Sequence, residues 1–198
     1  MAKRKTASKP LPSQEYLTSI LRYEPETGRL FWRERMPSMF SEGRHTAAHT
    51  CAKWNSAFAG KEAFTAKHPA GYRHTNILGR TVLAHRIIWK MVTGIEPDQI
   101  DHIDGIRSNN QWSNLRDVTV LENRRNAAIS SRNSSGANGV RWVARGRKWQ
   151  AFIGSKYDLF CLGTFDNFDD AVAARKAAER KHQFHENHGR DAVNQKEP

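Results

Sequence analysis

Apolar positions recur with two different periods along this chain, and the changes of period mark its elements. Leu17, Ile20 and Leu21 share one face of a helical turn or two over 14–21. Glu24-Pro25-Glu26-Thr27-Gly28 follows as a turn, and 29–35 reads as a strand in which Leu30 and Trp32 alternate with polar residues. From 36 to 70 the periodicity is weak. Trp54, Phe58 and Phe64 are scattered among small and polar residues, so irregular structure is expected there. Alternation returns over 71–84 around Leu78-Gly79-Arg80, a hairpin turn. Ile87, Ile88, Met91 and Val92 then give 85–92 one apolar face, and Gly94 stands just past that helix.

Two short strands and a helix come next. Residues 99–103 form a half-apolar run closed by the turn dipeptide Asp104-Gly105, and 114–119 alternates loosely with Leu115 and Val118 as its apolar positions. Thr119 is placed to cap a helix over 120–129, with Glu122 where a capping box needs it. Such a unit of about 30 residues is too small to be stable alone, and needs the preceding chain or a bound metal.

The string S-S-R-N-S-S-G-A-N over 130–138 has no period and reads as a linker. Beyond it lie three expected strands, 139–143, 148–154 and 159–165, and a helix from Phe168 to about Phe184. In the second strand Trp149, Ala151 and Ile153 alternate against Gln150 and Phe152. Asp169 and Asp170 sit in the first helical turn, where they complement the helix dipole, and five alanines keep the helix thin. His182, His185 and His188 have the residue type of a metal cluster but read as a solvated helix end.

The chain therefore divides into a basic flexible tail (1–12), a module over 13–129 with its core at about 85–129, a linker (130–138), a sheet-and-helix module (139–188) and a tail (189–198). The fold class is α+β.

Charge narrows the function. Lys and Arg number 32 against 20 Asp and Glu, a formal net charge of +12. That excess points to a polyanion, nucleic acid before a membrane surface. Cys51 and Cys161 are isolated, which suggests neither a disulfide framework nor a zinc knuckle and agrees with a reducing cytoplasm. No apolar run approaches a membrane span, and the basic N-terminus lacks the apolar core of a signal peptide.

The chemistry concentrates in Asp101-His102-Ile103-Asp104-Gly105, continued by Asn114-Leu115-Arg116 and Asn123. Asp101 and the Asn123 amide oxygen are hard ligands, suited to Mg²⁺ or Mn²⁺ rather than zinc, with water and phosphate completing the shell. His102 has an ordinary pKa of roughly 6.5, so its neutral form can take a proton from an attacking water. Neighbours on a regular strand point to opposite faces, so Asp101 and His102 serve one site only if the strand distorts or ends there. Taken singly, each residue is an ordinary turn or strand residue.

Together, D-H-I-D-G, N-N, N-L-R, V-T and E-N resemble the HNH endonucleases, in particular the phage and intron-encoded homing type, in order and spacing from His85 to Asn126. The resemblance implies a ββα-metal core with an N-terminal β-hairpin extension. In it His102 is the general base, Asn114 steadies the base-bearing loop, and Asp101 and Asn123 hold one divalent ion. Asn110 matches a recurrent loop asparagine, and His85, in the segment that precedes such cores, is a supporting residue. Arg73 and Arg80 on the 71–84 hairpin are candidate DNA contacts.

The later strings G-V-R-W, K-W-Q-A-F-I, L-G-T-F-D and D-D-A-V-A-A-R resemble the DNA-binding domain of plant ethylene-response factors. That resemblance implies a three-stranded antiparallel sheet packed on one helix, entering the major groove with Arg141, Lys148 and Trp149 as DNA-contacting residues, and Arg145 beside them is a further candidate contact. Trp142 and Arg145 depart from the plant pattern, so the base preference does not transfer.

The expected protein is a metal-dependent, site-preferring DNA endonuclease acting on duplex DNA, with no membrane or small-molecule cofactor. It is a monomer that nicks, or a dimer if both strands are cut, in the cytoplasm of a bacterial host of a phage or mobile element. The rival readings are a catalytically degenerate DNA-binding protein and a phage packaging nuclease of low specificity.

Overall fold

The computed structural model describes residues 10–119, 122, 123, 126, 128–130, 132–154, 158–186, 188 and 189. The chain separates into two compact units, 1–117 and 118–198. The division falls after Asp117, ahead of the linker expected over 130–138.

The first unit is built on three small antiparallel sheets. Helix α1 (Gln14–Ile20) starts at Ser13, whose side chain accepts from the Tyr16 N–H. It runs straight into β1 (Leu21–Glu24), which pairs with β2 (Arg29–Trp32), and β2 in turn carries the two-residue β3 (Glu62–Ala63). Helix α2 (Ala47–Phe58) occupies much of the stretch expected to be irregular. It is a correction with a physical cause. Thr46 caps the helix through the His49 N–H, but Cys51 is the one residue it buries deeply, so no apolar stripe marks it.

β4 (Ala66–Lys67), β5 (Arg73–Ile77) and β6 (Arg80–Leu83) form the second sheet. The β5–β6 hairpin turns at Leu78 (φ 50°) and Gly79 (φ 74°), both left-handed as a two-residue primed turn requires. Helix α3 (Ala84–Thr93) follows and ends on Gly94 in the left-handed region. β7 (Ile100–His102) and β8 (Leu115–Asp117) make the third sheet, with Asp101 opposite Arg116 and His102 opposite Leu115. One core joins these pieces, centred on Leu17, Ile20, Leu21, Leu30, Ile87 and Ile88.

In the second unit Thr119 and Glu122 form the reciprocal capping box: the Thr119 N–H donates to Glu122 Oε2 (2.7 Å) and the Glu122 N–H to Thr119 Oγ1 (3.2 Å). Glu122 and Asn123 are helical, while most of the helix expected over 120–129 lies outside the described residues. β9 (Val140–Val143), β10 (Lys148–Gly154) and β11 (Leu159–Phe165) form an antiparallel sheet in the order β11-β10-β9. Helix α4 (Phe168–Lys181) packs on one face, capped by Asn167. Its core is small: Val140, Ala151 and Ala171, with Trp149, Leu162, Phe165 and Phe168 around them. A buried polar knot adds to it. Arg175 donates to Glu179 (2.8 Å) and to the Phe152 carbonyl (2.7 Å), and buried His188 lies against both side chains. His188 is thus part of the interior rather than a solvated helix end.

Candidate nuclease site

β7 is short, and it ends at His102, where the Gly105 N–H donates back to the His102 carbonyl (2.8 Å). Asp101 and His102 are both buried, at 7% and 4% exposure. Asp101 points along the sheet: its Oδ2 accepts from Arg116 Nε (3.0 Å) and Nη2 (2.7 Å). His102 points into the loop that follows, where its Nε2 lies 3.3 Å from Asn110 Oδ1.

The loop presents an acceptor to the ring. Asn110 Nδ2 donates to the Ser108 carbonyl (3.2 Å), which leaves its acceptor oxygen facing the ring. Nε2 of His102 is thereby placed to donate its proton to that oxygen. Burial lowers the His102 pKa below the ordinary imidazole value; the Asn110 bond and the charges of Asp104 and Asp101 oppose that shift, and the Arg107 charge adds to it. A ring held neutral near pH 7 can accept a proton.

Asn114 is bonded to the loop that follows His102. Its Nδ2 donates to Asp104 Oδ1 (3.0 Å) and to the Asn109 carbonyl (2.8 Å), and its Oδ1 accepts from the Asp104 N–H (3.0 Å). Asp104 gathers the loop further, accepting from the Ile106 N–H (2.7 Å) and Asn109 Nδ2 (2.6 Å). Asn114 and Asp104 are thus positioning residues.

His85 opens α3 and lies edge-on to His102, ring centroids 5.2 Å apart. Burial first, then the neighbouring His102 and Arg86, lowers its pKa to about 3, so it stays neutral. Tyr72 was not apparent from sequence. Its ring centroid is 4.8 Å from His85 and 6.0 Å from His102, and Arg107 lies over its ring at 5.2 Å.

The first hairpin braces the same loop from the other side. Tyr23 Oη donates to the Asn110 carbonyl (2.8 Å), Gln111 Nε2 donates to the Glu26 carbonyl (2.7 Å), and the Trp112 N–H donates to the Pro25 carbonyl (3.1 Å). Gly28, at φ 73°, comes so close that a Cβ there would sit 2.5 Å from the Asn110 carbonyl carbon.

The proposed DNA contacts fall in several places. Arg73 donates to the Thr65 carbonyl and Arg80 to the Pro10 carbonyl, at opposite ends of the β5–β6 hairpin. Arg141 is exposed and donates to Gln150 Oε1 (2.9 and 2.6 Å), its cross-strand partner. Arg145 is exposed in the turn after β9, and Lys148 pairs with Asp166. Trp149 is different. It pairs with Trp142 and stacks edge-on against Phe168 of α4 at 4.8 Å, so it is a core residue on the helix side of the sheet. It does not share the outer face with Arg141 and Gln150.

Residues 82–125 match the family model described as HNH endonuclease. No curated protein and no solved structure matches the chain. The matched segment spans α3, β7, β8 and the loop around His102, so the chain carries an HNH endonuclease domain, which supports a DNA-cleaving nuclease. Among the described residues, no helix is long and apolar enough to cross a membrane, and no three His, Cys, Asp or Glu residues converge as a metal cage.

Proposed function

We propose that the chain is a site-preferring DNA endonuclease of the homing type, with His102 as general base. The observation that supports this best is the state of His102: buried, directed by Asn110 through Nε2, and shifted toward its neutral form. Its Nδ1 takes the proton of the water that attacks the scissile phosphorus. Asn110 holds the ring in that tautomer, and Asn114 and Asp104 keep the loop from moving. His85 packs against the ring as a neutral neighbour.

The donor chemistry fits one hard divalent ion, Mg²⁺ or Mn²⁺, with Asp101 and the Asn123 amide oxygen as its protein ligands. Such an ion keeps several waters and takes phosphate oxygens, so it needs no cage of three or four acidic or imidazole side chains. When bound, it supplies Lewis-acid stabilisation of charge on the phosphate and the leaving oxygen. The β7–β8 pair, with Asp101 and His102 both on β7, would supply the two strands of a ββα-metal core.

The sheet-and-helix part of the second unit, from β9 to α4, supplies binding and orientation. Its outer sheet face carries Arg141 and Gln150, with Arg145 at the adjoining turn, and Arg can fork onto a guanine edge or a phosphate. Duplex DNA is the partner on this reading, and a single site per chain nicks one strand.

A plasmid-nicking assay with Mg²⁺ or Mn²⁺ tests the chemistry. Wild type nicks, EDTA stops it, and His102→Ala loses about 100-fold or more of the turnover while still shifting duplex DNA in a gel. Cleavage by His102→Ala at the wild-type rate removes His102 from the mechanism. Sequencing the product ends then separates a preferred site from indiscriminate cutting.

A further inference from the structure

We infer that Arg107 binds a phosphate of the strand being cut, presented beside His102 by Tyr72 and the Ala70 carbonyl. The inference rests on the nuclease reading above. Arg107 sits in the loop that His102, Asp104 and Asn110 organise. Its Nη1 donates to the Ala70 carbonyl (2.8 Å), and its guanidinium carbon lies 5.2 Å from the Tyr72 ring centroid. That same ring stands 6.0 Å from the His102 ring. One aromatic side chain therefore links the cation to the base.

The charge on Arg107 is what sets it apart from its neighbours. Arg116, on β8, is neutralised by Asp101. Among the described residues no carboxylate pairs with Arg107. The nearest acidic side chain in its loop, Asp104, is already committed to the Ile106 N–H, Asn109 and Asn114. A guanidinium has five N–H donors in a planar fork, and one bond to Ala70 leaves an edge for a planar or tetrahedral oxyanion. The Tyr72 face holds the plane in orientation without consuming a donor. A half-buried cation with an anchored stem, spare donors and no counter-ion, on the wall of a phosphodiesterase site, is matched chemically by a phosphate. Its share of the reaction is electrostatic, stabilising charge on the phosphate oxygens as the bond to the leaving oxygen breaks.

The test uses the full chain. Cleavage is measured at saturating duplex in single turnover for wild type, Arg107→Lys and Arg107→Ala. Binding is measured against salt in the His102→Ala background, where the duplex stays intact. Arg107→Ala is expected to lower the cleavage rate about 100-fold or more, the scale of losing one preorganised charge donor. Arg107→Lys, which keeps the charge and loses the fork, recovers part of that loss. In the binding series, Arg107→Ala makes the slope of log K against log salt shallower by about 0.9, one phosphate contact.

An unchanged rate and an unchanged slope overturn the inference while leaving the nuclease reading intact. So does a rate loss that Lys does not relieve, with an unchanged slope and a fall in melting temperature, because Arg107 is then a strut for Ala70. A wild-type protein that cuts nothing with either ion overturns both readings.

Discussion

The two units use buried polarity for opposite ends. In residues 1–117 it surrounds the candidate chemistry: Asp101, His102, Asn110 and Asn114 are all below 9% exposed, and each is bonded to the strand or loop beside it. In the sheet-and-helix part of residues 118–198 it is scaffolding. Arg175, Glu179 and His188 are buried between helix and sheet, while Arg141 and Arg145 face water. A proton-transfer site needs a fixed ring in a low-dielectric setting. A DNA-reading surface needs cations at the surface of a rigid sheet. Breaking one arrangement should therefore damage turnover, and breaking the other should damage affinity.

The largest expected effect comes from reversing the outer face. Arg141→Glu with Arg145→Glu and Lys148→Glu removes three cations and adds three anions. At roughly tenfold or more per contact, duplex affinity falls about 1,000-fold. Single-turnover cleavage at saturating DNA stays within a few-fold of wild type. Gel-shift titration and rapid quench measure the two quantities separately. A variant that binds normally and cuts slowly would assign the face to chemistry and end the division of labour.

Two glycines sharpen the comparison. Gly28→Ala places a Cβ 2.5 Å from the Asn110 carbonyl carbon at φ 73°, so the loop that holds His102 must shift. Misplacing a catalytic group by about 1 Å costs about 100-fold in rate, and turnover is expected to fall by that order with duplex affinity kept. Gly139→Ala places a Cβ 2.5 Å from the Phe152 carbonyl oxygen and 2.7 Å from Arg175 Nη1 at φ 70°. It should lower the stability of the second unit by about 2 kcal/mol or more and weaken DNA binding. Melting curves and titrations of both variants check the assignment; equal damage to both functions in either variant would erase the distinction.

Much of this was legible, and the omissions have physical causes. The hairpin over 73–83 was plain because Leu78-Gly79 is a strong turn signal flanked by alternation. β10 and β11 were read to their ends because each is bounded by a glycine or a charged turn. α2 was missed because a helix that buries little carries little periodicity; the available signal was Thr46 followed by two alanines.

The site divides in the same way. His102, Asn110 and Asn114 lie in one local string and were found through it. Tyr72, Tyr23, Gly28 and the Ala70 carbonyl reach the same loop from distant segments, and no local pattern announces such contacts. The packing of Trp149 toward the helix was within reach, since it shares a strand face with Ala151 and Ile153, both buried. The DNA-binding reading of that tryptophan overrode its own periodicity.

The smallest predicted effect concerns acid, and it singles out the first unit. His85 is 6% exposed, and its Nδ1 has no hydrogen-bond partner among the described residues. Its pKa is lowered to about 3, by burial first and then by His102 and Arg86. An unfolded chain restores a value of roughly 6.5. Between those two values the unfolded state holds a proton that the folded state lacks, so stability rises with pH across that window. The contribution is fully present above about 6.5 and is lost progressively as pH falls toward 3. His102, shifted in the same direction, adds to the slope. One such proton is worth at most about 1.4 kcal/mol per pH unit. His85→Leu fills the site without a titrating group, so its urea midpoint should change less between pH 7 and pH 4.5 than that of wild type. The Trp89–Trp112 pair, ring centroids 5.0 Å apart in the first unit, offers a fluorescence reporter of that unfolding. If His85→Leu keeps the full wild-type acid slope, His85 is protonated in the folded chain or exposed to water. The account of a dry, neutral neighbour to the His102 ring then fails.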